Sequence, residues 1–185
     1  MIRSRWLWSF LFAGTLAAAA WAGVDGGKEK KPAADGEKAV EAIFDRLKSL
    51  EGEWVAASSS EQVTKGQVVS RYRLTGGGTA LTETIFPGTP MEMLSVYHRD
   101  GRQLVMTHYC CMGNQPKMRL RTGKDNDEVV LEFAGGTNLD PDKDSHIHSG
   151  VIRFVDASHL HAEWDFYIDG KSGQKHAFDL VKKTK

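Results

Sequence analysis

Residues 91–116 read Met91-Glu92-Met93-Leu94-Ser95-Val96-Tyr97-His98-Arg99-Asp100-Gly101-Arg102-Gln103-Leu104-Val105-Met106-Thr107-His108-Tyr109-Cys110-Cys111-Met112-Gly113-Asn114-Gln115-Pro116. Two runs of period-two alternation flank Asp100-Gly101, and Asp-Gly between such runs is the strongest short-range hairpin signal. With Asp100-Gly101 as a two-residue turn, Arg99 opposes Arg102, Tyr97 opposes Leu104, Ser95 opposes Met106 and Met93 opposes His108. One face of the hairpin then carries Met91, Met93, Ser95, Tyr97, Leu104, Met106, His108 and Cys110, and the other carries Glu92, Leu94, Val96, His98, Gln103, Val105, Thr107 and Tyr109. The first face is rich in methionine and free of charge, so it is expected to look inward.

The same grammar continues in both directions. Strands are expected near 54–59, 67–74, 80–86, 91–99, 102–109, 117–122, 128–133, 146–155, 159–168 and 175–181, separated by Gly76-Gly77-Gly78, Pro87-Gly88, Asp125-Asn126-Asp127, Gly135-Gly136, Asp156-Ala157-Ser158 and Asp169-Gly170. About ten short strands with short connections favour an all-β, antiparallel, up-and-down barrel, because closing the sheet removes its exposed edges. Ahead of them, Ala39, Val40, Ile43, Phe44, Leu47 and Leu50 recur at three- and four-residue spacing. That predicts one N-terminal amphipathic helix over 37–50, placed as a plug or lid on one barrel end.

The N-terminus carries Arg3 and Arg5, the apolar run from Trp6 to Ala20 and a small-x-small Ala20-Trp21-Ala22, the pattern of a secretory signal peptide over 1–22. Residues 23–36, rich in Gly, Lys, Ala and Asp, read as a flexible leader, leaving 37–185 as a single barrel domain with its N-terminal helix. The whole 185-residue chain is charge-balanced, with 24 basic and 24 acidic residues. Residues 1–22 contain two of the basic ones and no acidic ones, so the mature chain would carry −2. That balance speaks against nucleic acid as a partner, and removal of the signal leaves no segment for stable membrane insertion. The expected location is periplasmic or secreted.

Gly52-x-Trp54, at the start of the first strand, resembles the Gly-x-Trp signature of lipocalins and the wider calycin group, with Lys182 and Lys183 near the last strand where that group usually carries Arg. The block with Tyr97-His98, the Asp-Gly hairpin, Thr107-His108-Tyr109-Cys110 and Gly113-Asn114-Gln115-Pro116 is similar to secreted bacterial lipocalin-like domains of uncharacterised function. The similarity covers about residues 40–184. It implies a calycin-type barrel with the Trp54 ring across its closed end, and it carries no assigned reaction.

Candidate site residues follow from the inward face and the loop after it. Met93, Tyr97, Met106, His108 and Cys110 are expected to line a lumen, with Asn114 and Gln115 shaping its rim, around a small and partly apolar ligand. A second reading has a transition metal or haem held by His108 with Cys110, or with His146 and His148, whose spacing puts both on one face of a strand. A plain core histidine, with Cys110 as apolar filler, is the third. Cys110 and Cys111 are the only cysteines; adjacent Cα atoms lie about 3.8 Å apart, closer than disulfides prefer, so free thiols on opposite faces of the strand are expected.

On 159–168 the row His159, His161, Glu163, Asp165, Tyr167 reads as an outer face, with Leu160, Ala162, Trp164, Phe166 and Ile168 inward; a polar lumen would invert that assignment. The Asp140, Asp142, Asp144 loop with Asn138 lacks the Gly and terminal Glu of an EF-hand. Nucleophile elbows, phosphate-binding glycine loops and His-Glu-x-x-His do not occur. No cofactor and no catalytic residue is assigned, so a binding protein is preferred to an enzyme, with an envelope structural or interaction domain as the plainest alternative.

Overall fold

The computed structural model describes residues 34–123 and 127–184. The expected signal peptide, most of the expected leader and most of the Asp125-Asn126-Asp127 turn lie outside them. A helix, α1 (Ala34–Lys48), precedes ten strands: β1 (Gly52–Ala56), β2 (Val68–Thr75), β3 (Ala80–Ile85), β4 (Met93–Asp100), β5 (Gln103–Tyr109), β6 (Gln115–Thr122), β7 (Glu128–Thr137), β8 (His146–Phe154), β9 (His159–Ile168) and β10 (Lys171–Lys182). Every strand pairs antiparallel with its sequence neighbour, and β1 pairs with β10, so the sheet is a closed all-β barrel of up-and-down topology.

The two Asp-Gly pairs make different turns. At Asp169-Gly170 both residues have positive φ, 51° and 71°, and Ile168 pairs with Lys171, the two-residue hairpin that such a pair favours. At the other, the turn is Gly101-Arg102: Asp100 pairs with Gln103, Arg99 with Leu104, Tyr97 with Met106 and Ser95 with His108. The predicted register is therefore corrected. Glycine leads this turn with φ of 56°, and the shift avoids setting Arg99 opposite Arg102, a like-charge pair. Because each residue moves to a partner two positions along, the faces are unchanged. Ser95, Tyr97, Leu104, Met106 and His108 are completely enclosed, whereas Leu94 and Tyr109 are exposed.

The predicted turn at Gly135-Gly136 is also corrected: both lie inside β7, where Gly136 pairs with Pro116 beside a bulge that places one extra residue of β7 between Gly136 and Phe133. A Cβ on Gly136 would lie 2.9 Å from the Gln115 carbonyl, so glycine here permits a close strand approach rather than a turn.

α1 closes the end of the barrel where β4 finishes and β5 begins. Ile43, Phe44 and Leu47, with Leu50 just past the helix, share one core with Trp54, Leu104, Leu120 and Leu131. Trp54 Nε1 donates to the Leu50 carbonyl at 2.7 Å, and Lys182, paired with Trp54, places Nζ 5.6 Å from the indole and donates to the Ser49 carbonyl. Arg99 reaches from the end of β4 to Glu41 and Glu37 of α1. Leu47 is fully buried in that seal. Leu47→Ala is expected to cost about 2–5 kcal/mol of unfolding free energy in chemical denaturation; a loss below about 0.5 kcal/mol would show that the helix does not belong to the cooperative core.

Candidate functional site

With α1 filling one end, the opposite end holds a cavity of about 750 Å³. It lies between the start of β4, the end of β5, the start of β8, the end of β9 and the start of β10. Its walls are mainly apolar, with Ile85, Phe86, Met93, Ile147, Trp164, Phe166 and Phe178, and Met91, Met112 and Ile168 stand exposed at its mouth. Ser95, His108, Cys110 and Cys111 also belong to the lining. Inward alternation on β9 supplies Trp164 and Phe166, while His161 bonds Asp179 and Glu163 on the outer face.

Of the residues singled out from sequence, Met93, His108 and Cys110 line this cavity. Tyr97 and Met106 lie on the same inward face, deeper, in the packed core. Asn114 and Gln115 build the loop beside the cavity. The Asn114 side-chain amide donates to the Ser145 carbonyl at 2.9 Å, and Gln115 Oε1 accepts from Thr137 and Asn138 at 3.0 Å each. These bonds tie the β5–β6 connection to the β7–β8 connection.

The cysteines depart from the expected placement on opposite faces. β5 ends at Tyr109, and Cys110–Gly113 forms a turn in which Gly113 N–H donates to the Cys110 carbonyl at 3.0 Å, so both free thiols reach the cavity. Alternation no longer applies once the strand has ended. Burial pushes the Cys110 thiol up from its ordinary pKa, so it is held protonated.

His146 and His148 do come together. His146 Nε2 and His148 Nδ1 lie 3.0 Å apart, and His148 stacks on Tyr167 with ring centres 3.6 Å apart and on Phe133 at 4.6 Å. They do not join His108: Ile147 and Phe166 face the cavity, so their neighbours His146 and Tyr167 point away from it. A bulge between Ile147 and Ser149 keeps His148 on the side of His146. Among the described residues no three His, Cys, Asp or Glu side chains gather where they could hold a metal ion.

Sequence reasoning missed the polar cluster beneath the cavity. Glu83 is 2% exposed, and its carboxylate accepts from Ser70 Oγ at 2.7 Å, Tyr72 OH at 2.8 Å and Tyr97 OH at 2.6 Å. Burial raises the Glu83 pKa against these three donors, and burial together with the Glu83 charge holds both phenols well above their usual range. The signal was present: Glu83 alternates in step with Leu81 and Ile85, and an inward carboxylate requires partners. Gly150 was missed as well. It pairs with Trp164, and a Cβ there would lie 2.5 Å from the indole, so glycine seats the cavity's tryptophan in the wall.

Ser95 links the cluster to the cavity. It pairs with both Glu83 and His108 across the sheet, and its Oγ lies 2.9 Å from His108 Nδ1. His108 Nε2 is buried and has no hydrogen-bond partner. The chain matches no protein-family model and no curated protein.

Burial lowers the His108 pKa from 6.5 to about 4, so the imidazole is neutral at physiological pH. Between those values the unfolded chain takes up a proton that the folded one refuses, so this contribution is complete above the unfolded value and is lost as pH falls toward the folded one. Over that window the group is expected to remove about 3 kcal/mol of stability. Glu83, with its raised pKa, acts in the opposite direction, so the comparison is made against His108→Gln. The variant should show a flatter dependence of denaturation midpoint on pH, and superimposable profiles would remove His108 as the cause.

Proposed function

We propose that this chain is a secreted or periplasmic, calycin-type barrel that binds one small, largely apolar molecule in its lumen, at the end away from α1. The observation that carries the reading is the apolar cavity of about 750 Å³ set into an otherwise packed barrel. That volume lies in the range of small-molecule sites, and few polar groups inside apolar walls is their usual make-up. Met93, His108 and Cys110 would touch the ligand together with Ile147, Trp164 and Phe166. Tyr97 and Met106 would support the wall from below, and Asn114 and Gln115 would hold the adjoining loop. The charged, apolar and small-residue order of residues 1–22 supports export, and the balanced charge supports a partner other than nucleic acid. No catalytic role is proposed.

A second reading has His108 as a ligand to a transition metal or haem, with Cys110 beside it. It is favoured by the unpartnered Nε2 and by burial that keeps the imidazole in its neutral, ligating form. Elemental analysis and a visible spectrum of the purified protein, with His108→Ala as control, discriminate between the two.

The neutral fluorophore N-phenylnaphthylamine is expected to bind saturably with one site per chain and to accept energy from Trp164. Met93→Trp, which adds bulk inside the cavity, should weaken it by about tenfold or more while the far-ultraviolet circular dichroism is unchanged. Non-saturable binding, or binding indifferent to Met93→Trp, would remove the lumen as the site.

A further inference from the structure

The cavity is apolar at its mouth and polar at its inner end. At the mouth Met91, Met112 and Ile168 are about half exposed, so apolar side chains meet the solvent there. At the inner end the lining closes on Ser95 and His108, both completely enclosed. The register gives the depth: Met93 begins β4 opposite Ile85, and Ser95 lies two residues further in, opposite Glu83 and His108. Ser95 Oγ occupies His108 Nδ1 at 2.9 Å, and His108 Nε2 is left buried without a partner. An imidazole nitrogen in that state is costly, and a polar atom brought in by a ligand relieves it. A hydroxyl both donates and accepts, so it suits Nε2 whichever ring nitrogen carries the proton. Among the described residues no Asp, Glu, Lys or Arg belongs to the lining, so no side chain there neutralises an ionic head.

We infer that the lumen binds an uncharged amphiphile head first, with a neutral polar head such as a hydroxyl at His108 Nε2 and the hydrocarbon tail running out between Met91, Met112 and Ile168. This rests on the lumen-binding reading above and adds the class and the orientation of the ligand: long-chain alcohols are held in preference to fatty-acid anions of the same length. The reverse orientation would lay the tail against the unpartnered nitrogen and leave the apolar mouth to the head. Head first, a carboxylate would exchange water for an enclosed end that holds no cation. Burial keeps the imidazole neutral at physiological pH, so His108 itself supplies no charge to hold an anion.

Two measurements test it. Displacement of N-phenylnaphthylamine at pH 7.5 by decan-1-ol and by decanoate should give at least about tenfold tighter binding of the alcohol. His108→Leu should weaken decan-1-ol by about fivefold, and His108→Gln, which keeps a hydrogen-bonding group, by less than about twofold. Proton NMR of the complex with decan-1-ol should show nuclear Overhauser contacts from the carbinol protons to the His108 ring, and from the terminal methyl to the Met91 and Met112 methyl groups. Equal affinity for alcohol and anion, indifference to both His108 variants, or a hydroxyl found at the mouth overturns the inference and leaves the lumen site standing. If neither compound displaces the probe the inference also fails, and the lumen site is then decided separately by the response of the probe to Met93→Trp.

Discussion

The pairing of β1 with β10 is the constraint on which the rest of the molecule depends. Trp54, Val55 and Ala56 meet Lys182, Val181 and Leu180, and this short ladder turns ten strands into a closed wall. Once closed, the sheet has an inside and an outside, and strand alternation assigns every side chain to one of them. The same ladder anchors Trp54 under Lys182 and against the end of α1. It therefore also determines which end of the barrel is sealed.

Sealing one end distributes the interior unevenly. Below, α1 and the core side chains fill the barrel with Phe44, Leu47, Leu104, Leu120 and Leu131. Above, where no helix enters, the wall residues Met93, Ile147, Trp164 and Phe166 leave a hollow. Between the two sits the only fully buried carboxylate among the described residues, held by Ser70, Tyr72 and Tyr97. A buried charge of this kind is costly unless each oxygen is satisfied, and here three hydroxyls satisfy it. Ser95, paired with Glu83 across the sheet, places its hydroxyl 2.9 Å from His108 Nδ1 and so stands between the cluster and the cavity.

Much of the barrel was legible because its signals are local. Alternation and turn residues announced ten strands, and the spacing of Val40, Ile43, Phe44 and Leu47 announced the helix. The hairpin register was read one step away from the true turn, yet the faces survived, because both strands moved together and parity is a property of period two. The cysteines were misplaced for the same reason in reverse. Alternation was carried past Tyr109, where the strand had already given way to a turn.

By itself the sequence determined the strand count, the inward face of Met93 to His108 and the amphipathic plug, since each depends on neighbours a few residues apart. Only the tertiary structure decided which inward residues meet a cavity and which are packed away: it sent Met93 and His108 to the hollow and Tyr97 and Met106 to the core. It also brought Ser70, Tyr72 and Tyr97 from two strands onto the Glu83 carboxylate of the strand between them, and kept His146 and His148 apart from His108. Those outcomes depend on the depth of each residue along the barrel axis and on the side that α1 occupies. Neither is encoded in a period of two.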